Sequence, residues 1–201
     1  MEKEQYKTDV GSKDPSEFSS QETGPQQHPI YRQHERNENR LQALLDLNQM
    51  NDRDYTEVLD FGLEEALRLT DSKIGYIFFY DEETRLFSLY SWSKGVMEQC
   101  HVMQKQTIYE LDKTGLLGEV VRQRRAIITN DYNAPNPYKK GYPKGHVEIR
   151  RHMSLPILRK GKIVAVVGVA NKEAYYSEDD VRQLQLFMDC LLYTSPSPRD
   201  S

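Results

Sequence analysis

Met153 to Leu184 reads MSLPILRKGKIVAVVGVANKEAYYSEDDVRQL, and the pattern of this stretch sets the fold. Lys162 to Asn171 is apolar on both faces and rich in valine, as expected of a central strand covered from two sides. Met153 to Leu158 precedes it, and Arg159-Lys160-Gly161 between the two reads as a basic hairpin turn. Ser177 then caps a helix, with Asp180 at its third position and Val181, Leu184, Met188 and Leu191 on one stripe. Lys172 and Asp180 are spaced to form an ion pair that closes the strand onto this helix.

Upstream, the same two periods alternate. Lys73 to Asp81 (KIGYIFFYD) is a second doubly apolar strand, and the polar turn Asp81-Glu82-Glu83-Thr84 returns it as Leu86 to Ser93. A more polar strand over about His101 to Tyr109 suits a sheet edge. Gly115 to Arg124 is helical, with Leu116, Leu117, Val120 and Val121 facing inward, and Ala126 to Thr129 is a short strand. Two helices open the ordered region. One carries Leu41, Leu44, Leu45 and Asn48; the other begins at Asp54, with Glu57 placed as in a capping box and Tyr55, Val58, Leu59, Gly62, Leu63, Ala66 and Leu67 on its stripe. The result is an α+β domain, one antiparallel sheet with helices packed on its faces.

Composition limits the function. The 201 residues carry a formal charge of −4, which argues against a general nucleic-acid binder. No apolar run approaches the roughly 20 residues that span a bilayer, and the start has no secretory signal, so the expected location is the cytoplasm. Two cysteines, Cys100 and Cys190, cannot build a disulfide framework or a zinc cluster. Residues 1–36 are polar and without period, and the expectation there is a disordered arm. No catalytic constellation stands out.

Within this frame, GLLGEVVRQRRAIITNDYNAPNP, KKGYPKGHVEIRRHMSLPIL and GKIVAVVGVANKEAYYSEDDVRQL resemble the GAF domain family, over roughly residues 37–189. The subgroup is one found as the input module of sensor histidine kinases and diguanylate cyclases. The resemblance implies a GAF-like antiparallel sheet, a pocket on one sheet face, and a long loop helping to cover it. Here that loop runs from Asn130 to about Arg150. From Tyr138 to His152 it holds five Lys or Arg against Glu148, a local +4 that leaves −8 for the rest of the chain. A basic, tyrosine-bearing lid over an apolar sheet suits a small anionic or aromatic ligand. The candidate ligand-binding residues are Trp92, Asn130, Asp131, Tyr132, Tyr138, His146, Arg150 and Asn171. The ligand and any cofactor are unknown at this stage.

Two further likenesses are weaker. Asn171-Lys172 with Tyr175 to Asp180 resembles the NKFDE signature of cyclic-nucleotide-binding GAF domains, but the register that fits the helix cap loses the final acid. Cys100-His101 resembles the bilin-anchoring pair of phytochrome-type domains, yet it precedes an edge strand and the other chromophore motifs are missing. GAF-fold methionine-sulfoxide reductases use several cysteines, which this domain body lacks. Residues 190–201, with Pro196 and Pro198, resemble sequencing-adapter read-through and are expected to be non-native, with an output domain missing beyond them. The functional expectation is a sensory input domain acting as a homodimer through its first and last helices. The alternative is a stand-alone interaction module without a small ligand.

Overall fold

The computed structural model describes residues 29–99, 107–140 and 146–194. The chain divides at His34 into two units, 1–34 and 35–201. In the first, the described residues 29–34 are the opening turns of helix α1 (Pro29–Asn48). The second unit continues with α2 (Tyr55–Leu69), β1 (Ile74–Asp81), β2 (Leu86–Trp92), α3 (Lys94–Gln99) and β3 (Ile108–Glu110). A 3₁₀ turn at Leu111–Lys113 leads to α4 (Leu116–Gln123), β4 (Ile127–Thr129), β5 (His152–Arg159), β6 (Lys162–Ala170) and α5 (Glu178–Thr194).

The six strands form one sheet in the order β3-β2-β1-β6-β5-β4, with every neighbouring pair antiparallel. The valine-rich β6 is central, between β1 and β5, and the short β3 is at an edge. One sheet face packs Ile77, Phe79, Leu155, Ile157, Val167 and Val169 under α1, α2 and α5, which contribute Leu47, Leu59, Leu63, Leu184, Phe187 and Met188. The other face packs Phe78, Phe87 and Val166 against Leu111, Val120 and Val121 from the 3₁₀ turn and α4. Helix α2 starts where the sequence places it. The Asp54 carboxylate accepts from the Thr56 N–H at 2.8 Å, whereas Glu57 reaches back toward Arg53 instead of closing a capping box.

Two boundaries differ from the sequence expectation. Helix α1 begins at Pro29, so residues 29–36, expected to be disordered, are helical. Its core-facing stripe is also rotated: Ala43 and Leu47 are buried, while Leu41 and Leu45 are each 58% exposed. Helix α5 continues through Cys190 to Thr194, with Leu191 and Leu192 buried. The expected strand over 101–109 lies mostly outside the described residues, which show β3 at Ile108–Glu110. Among the described residues, no helix is long and apolar enough to cross a membrane.

A buried polar cluster lies at the start of α5. Asp180, fully buried, accepts from Lys172 Nζ at 2.7 Å, from the Ser177 N–H at 2.9 Å and from Arg36 at 2.6 Å. Burial pushes its carboxyl up, but the bonds from Lys172, Ser177 and Arg36 outweigh that and hold it below the ordinary value. Arg36 also pairs with Asp179 at 2.5 Å, and Arg40 donates to Gln183 at 2.6 Å. These contacts hold the polar stretch of α1 from Arg36 to Arg40 in place without an apolar period.

Candidate functional site

The register of the sheet assembles the site. Strand partners in one cross-sheet row are Trp92, Tyr76, Gly168, Ser154 and Ile127. The adjacent row on the same face is Ile74, Ala170, His152 and Thr129. Both rows face away from α2 and α5. Above them, Val96 from α3 and Val147 and Ile149 from the loop before β5 form a small apolar cluster with Ile74, Ala170 and Trp92. Between sheet and loop lies a cavity of about 60 Å³, lined by residues that include Tyr76, Trp92, His146, Val147, Ile149 and His152.

Its floor is polar. The Tyr76 hydroxyl and His152 Nε2 lie 3.0 Å apart, and the two rings stack with centroids 6.0 Å apart. Gly168 makes this possible, because a Cβ there would come within 2.1 Å of the Tyr76 ring. Burial drives the His152 imidazole down to about 4 and pushes the Tyr76 hydroxyl far up. His152 Nδ1 is buried and makes no hydrogen bond within the protein, while Ser154 lies against the Tyr76 hydroxyl. Gly168→Ala is therefore expected to push Tyr76 off His152 and to cost about 1–3 kcal/mol by overpacking. Urea unfolding together with the His152 side-chain ¹⁵N shift measures both effects; an unchanged imidazole signal refutes the contact.

Asn171 pins the end of the loop next to β5. Asn171, in the left-handed conformation at φ 64°, accepts the Arg150 N–H at 2.8 Å and donates to the Glu148 carbonyl at 2.8 Å. Its own N–H donates to Arg151 O. It adjoins Lys172, so the loop over the cavity and the buried Asp180 cluster share one turn of chain.

The residues singled out from sequence divide into three groups. Trp92 and His146 line the cavity, and Tyr132 sets its ring edge-on to His152 at 6.3 Å. Asn130, Asp131 and Asn171 hold backbone: Asn130 exchanges hydrogen bonds with the Tyr176 main chain, and Asp131 accepts from the Asn133 and Ala134 N–H groups. Tyr138 and Arg150 are exposed. Lys139 lies 4.8 Å over the Tyr132 ring, so part of the basic loop is spent on internal contacts. Sequence reading missed Tyr76, Ser154 and Gly168, and it counted His152 with the basic loop, whereas His152 is a buried strand residue. The alternation His152-Ser154-Pro156 against Met153-Leu155-Ile157 carried that signal. Cys100 and His101 lie outside the described residues. Among the described residues no cluster of three or more His, Cys, Asp or Glu converges as a metal site.

The chain combines a six-stranded antiparallel sheet, a loop-roofed cavity on one face and helices on the other. The sequence model of the GAF domain family matches residues 52–190, and the chain belongs to that family. It is 52% identical over 152 residues to the methyl sulfide methyltransferase-associated sensor of Methanosarcina acetivorans, an alignment covering 76% of this chain and 15% of that protein. The chain thus spans about 15% of the length of the curated relative it matches. The fold is similar to that of the GAF domain of an Acinetobacter phosphoenolpyruvate-protein phosphotransferase (TM-score 0.62, 16% identity, 78% of this chain and 90% of that one). It is also similar to free methionine-R-sulfoxide reductase from Neisseria meningitidis, solved with its substrate (TM-score 0.59, 13% identity, 78% and 85% coverage). The chain is a GAF domain with a sensor among its relatives.

Proposed function

We propose that this GAF domain is the ligand-sensing input module of a larger signal-transduction protein, a sensor histidine kinase or a cyclic-di-nucleotide enzyme. It binds a small aromatic or anionic molecule between the sheet face and the 146–151 loop. The observation that carries this reading is the cavity over the Tyr76–His152 pair, whose loop is tied through Asn171 to the turn bearing Lys172. A ligand that favours one loop position acts on the anchor of α5 and, through Arg36, on α1. Leu184, Met188 and Leu191 are buried against the sheet, so α5 transmits by packing. Leu41 and Leu45 on α1 are exposed and supply the apolar surface for a homodimer.

Native mass spectrometry and the absorption spectrum of the purified chain test the ligand. A retained small compound, lost when the loop anchor is cut by Asn171→Ala, is the expected outcome. A compound-free protein with no thermal-shift response to a metabolite panel favours the interaction-module alternative. Sedimentation tests the dimer, and a monomer at high concentration removes it.

A further inference from the structure

The loop over the cavity leaves β4 after Thr129 and enters β5 at His152, and both its ends are tied to residues 171–177, between β6 and α5. At the end next to β4, the Asn130 side chain pairs with the Tyr176 main chain, donating to its carbonyl at 2.9 Å and accepting its N–H at 2.7 Å. At the end next to β5, Asn171 holds Glu148, Arg150 and Arg151, and Arg151 in turn donates to the Lys172 carbonyl at 3.2 Å. The two ends also meet directly, the Tyr132 N–H donating to the Arg150 carbonyl at 2.9 Å. Tyr176 closes the segment on itself. Its ring is buried in the core with residues of α2 and α5, and its hydroxyl accepts the Lys172 N–H at 3.4 Å and meets Ser72 Oγ at 2.7 Å. Ser72 lies just beyond α2, so this hydroxyl fixes the segment to the body of the domain. The next residue, Ser177, starts the α5 anchor, where its N–H and Lys172 Nζ both reach Asp180.

We propose that residues 171–177 clamp the loop ends and the start of α5 into one cooperative unit, with Tyr176 at its centre. This rests on the ligand-sensing reading above for its use and specifies how that site is read out. Asn171 alone would let the loop pivot about one end. With Asn130 holding the other, a displacement of the loop either breaks hydrogen bonds at both ends or carries the segment with it. Breaking them strands polar groups of Asn130, Asn171 and Tyr176, so moving together is the less costly route. The Tyr176 main chain then moves Ser177, and Ser177 moves the cap of α5. Local opening follows the same boundaries, because the bonds that hold the loop ends also hold the segment. The loop ends and the first turn of α5 therefore open together, ahead of the core.

Amide hydrogen exchange followed by NMR tests the clamp without a ligand. Tyr132 and Arg150 report the loop ends, Val181 reports the first turn of α5 through its bond to Ser177, and Leu63 reports global opening from the buried middle of α2. In the wild type the first three are expected to share one opening free energy, lower than that of Leu63. Val147→Ala removes two methyl groups from the apolar cluster under the loop and is expected to speed all three by a common factor of about ten. Tyr176→Phe keeps the ring, removes the hydroxyl, and is expected to speed the same three by about fivefold. An unchanged Val181 in Val147→Ala, unchanged loop ends in Tyr176→Phe, or a Val181 that exchanges only with Leu63 in the wild type overturns the clamp. Loop ends indifferent to Val147→Ala overturn it as well. None of these readouts involves a bound compound, so the clamp and the ligand-sensing reading fail independently.

Discussion

Asp180→Ala should be the most damaging single substitution in the domain, lowering the unfolding free energy by about 3–5 kcal/mol. Asp180 is fully buried and receives Lys172, Arg36 and the Ser177 N–H at once. Removing it leaves the Lys172 ammonium buried without its carboxylate, and breaking one half of a buried pair costs far more than the intact pair contributes. Arg36 retains Asp179, so that arm of the cluster survives in part. The α5 N-terminus loses its cap as well, which adds about 1 kcal/mol within the same range. For a chain of this size the melting temperature should drop on the order of 10 °C. Urea titration at neutral pH is the measurement. The double substitution Lys172→Met with Asp180→Leu should recover most of the loss, because it removes both charges and fills the space with apolar volume. A loss below about 1 kcal/mol for Asp180→Ala, or no recovery in the double variant, would show that the cluster is not anchored by this pair.

The Lys172–Asp180 pair was legible in the sequence because both ends lie close in the chain and the helix cap fixes the spacing. The same holds for β1, β2, β5, β6, α2, α4 and α5, where a period of 2 or 3.6 is written in apolar residues. What the sequence concealed depends on distant partners. The start of α1 is polar, and Arg36 and Arg40 are anchored by Asp179, Asp180 and Gln183, more than 140 residues away. No local pattern announces such contacts. Similarly, Tyr76 looks like an ordinary core aromatic of β1 until the register brings it opposite Gly168 and lets its ring cross to His152 on β5. The basic stretch Arg150-Arg151-His152 reads as one charged loop, yet it divides between an exposed residue, a half-buried one and a buried one. The strand begins in the middle of what composition presents as a single patch. The candidate site was therefore legible in Trp92, Tyr132 and His146, and hidden in the Tyr76–His152 pair on the sheet.

That pair has a pH signature. His152 is buried, its imidazole is driven down to about 4 by burial, and Tyr76 and Tyr132 face it in place of a carboxylate. In the unfolded chain the same group has its ordinary value near 6.5. Between those two values the unfolded state binds a proton that the folded state refuses, so stability rises with pH across this window and falls on acidification. The depressed value of a base places the full contribution above about pH 6.5, and the loss proceeds down toward pH 4. By pH 5 it should amount to about 2 kcal/mol relative to pH 7.5. Asp180, held low by its hydrogen bonds, gives way only below this window, and Asp189, raised by burial, works in the opposite sense. The comparison that isolates His152 is the wild type against His152→Gln, each unfolded by urea in steps from pH 7.5 to 5. The difference between the two curves should shrink by about 2 kcal/mol over that range, because glutamine has no proton to gain. A difference that stays flat would mean that the imidazole takes up its proton in the folded state.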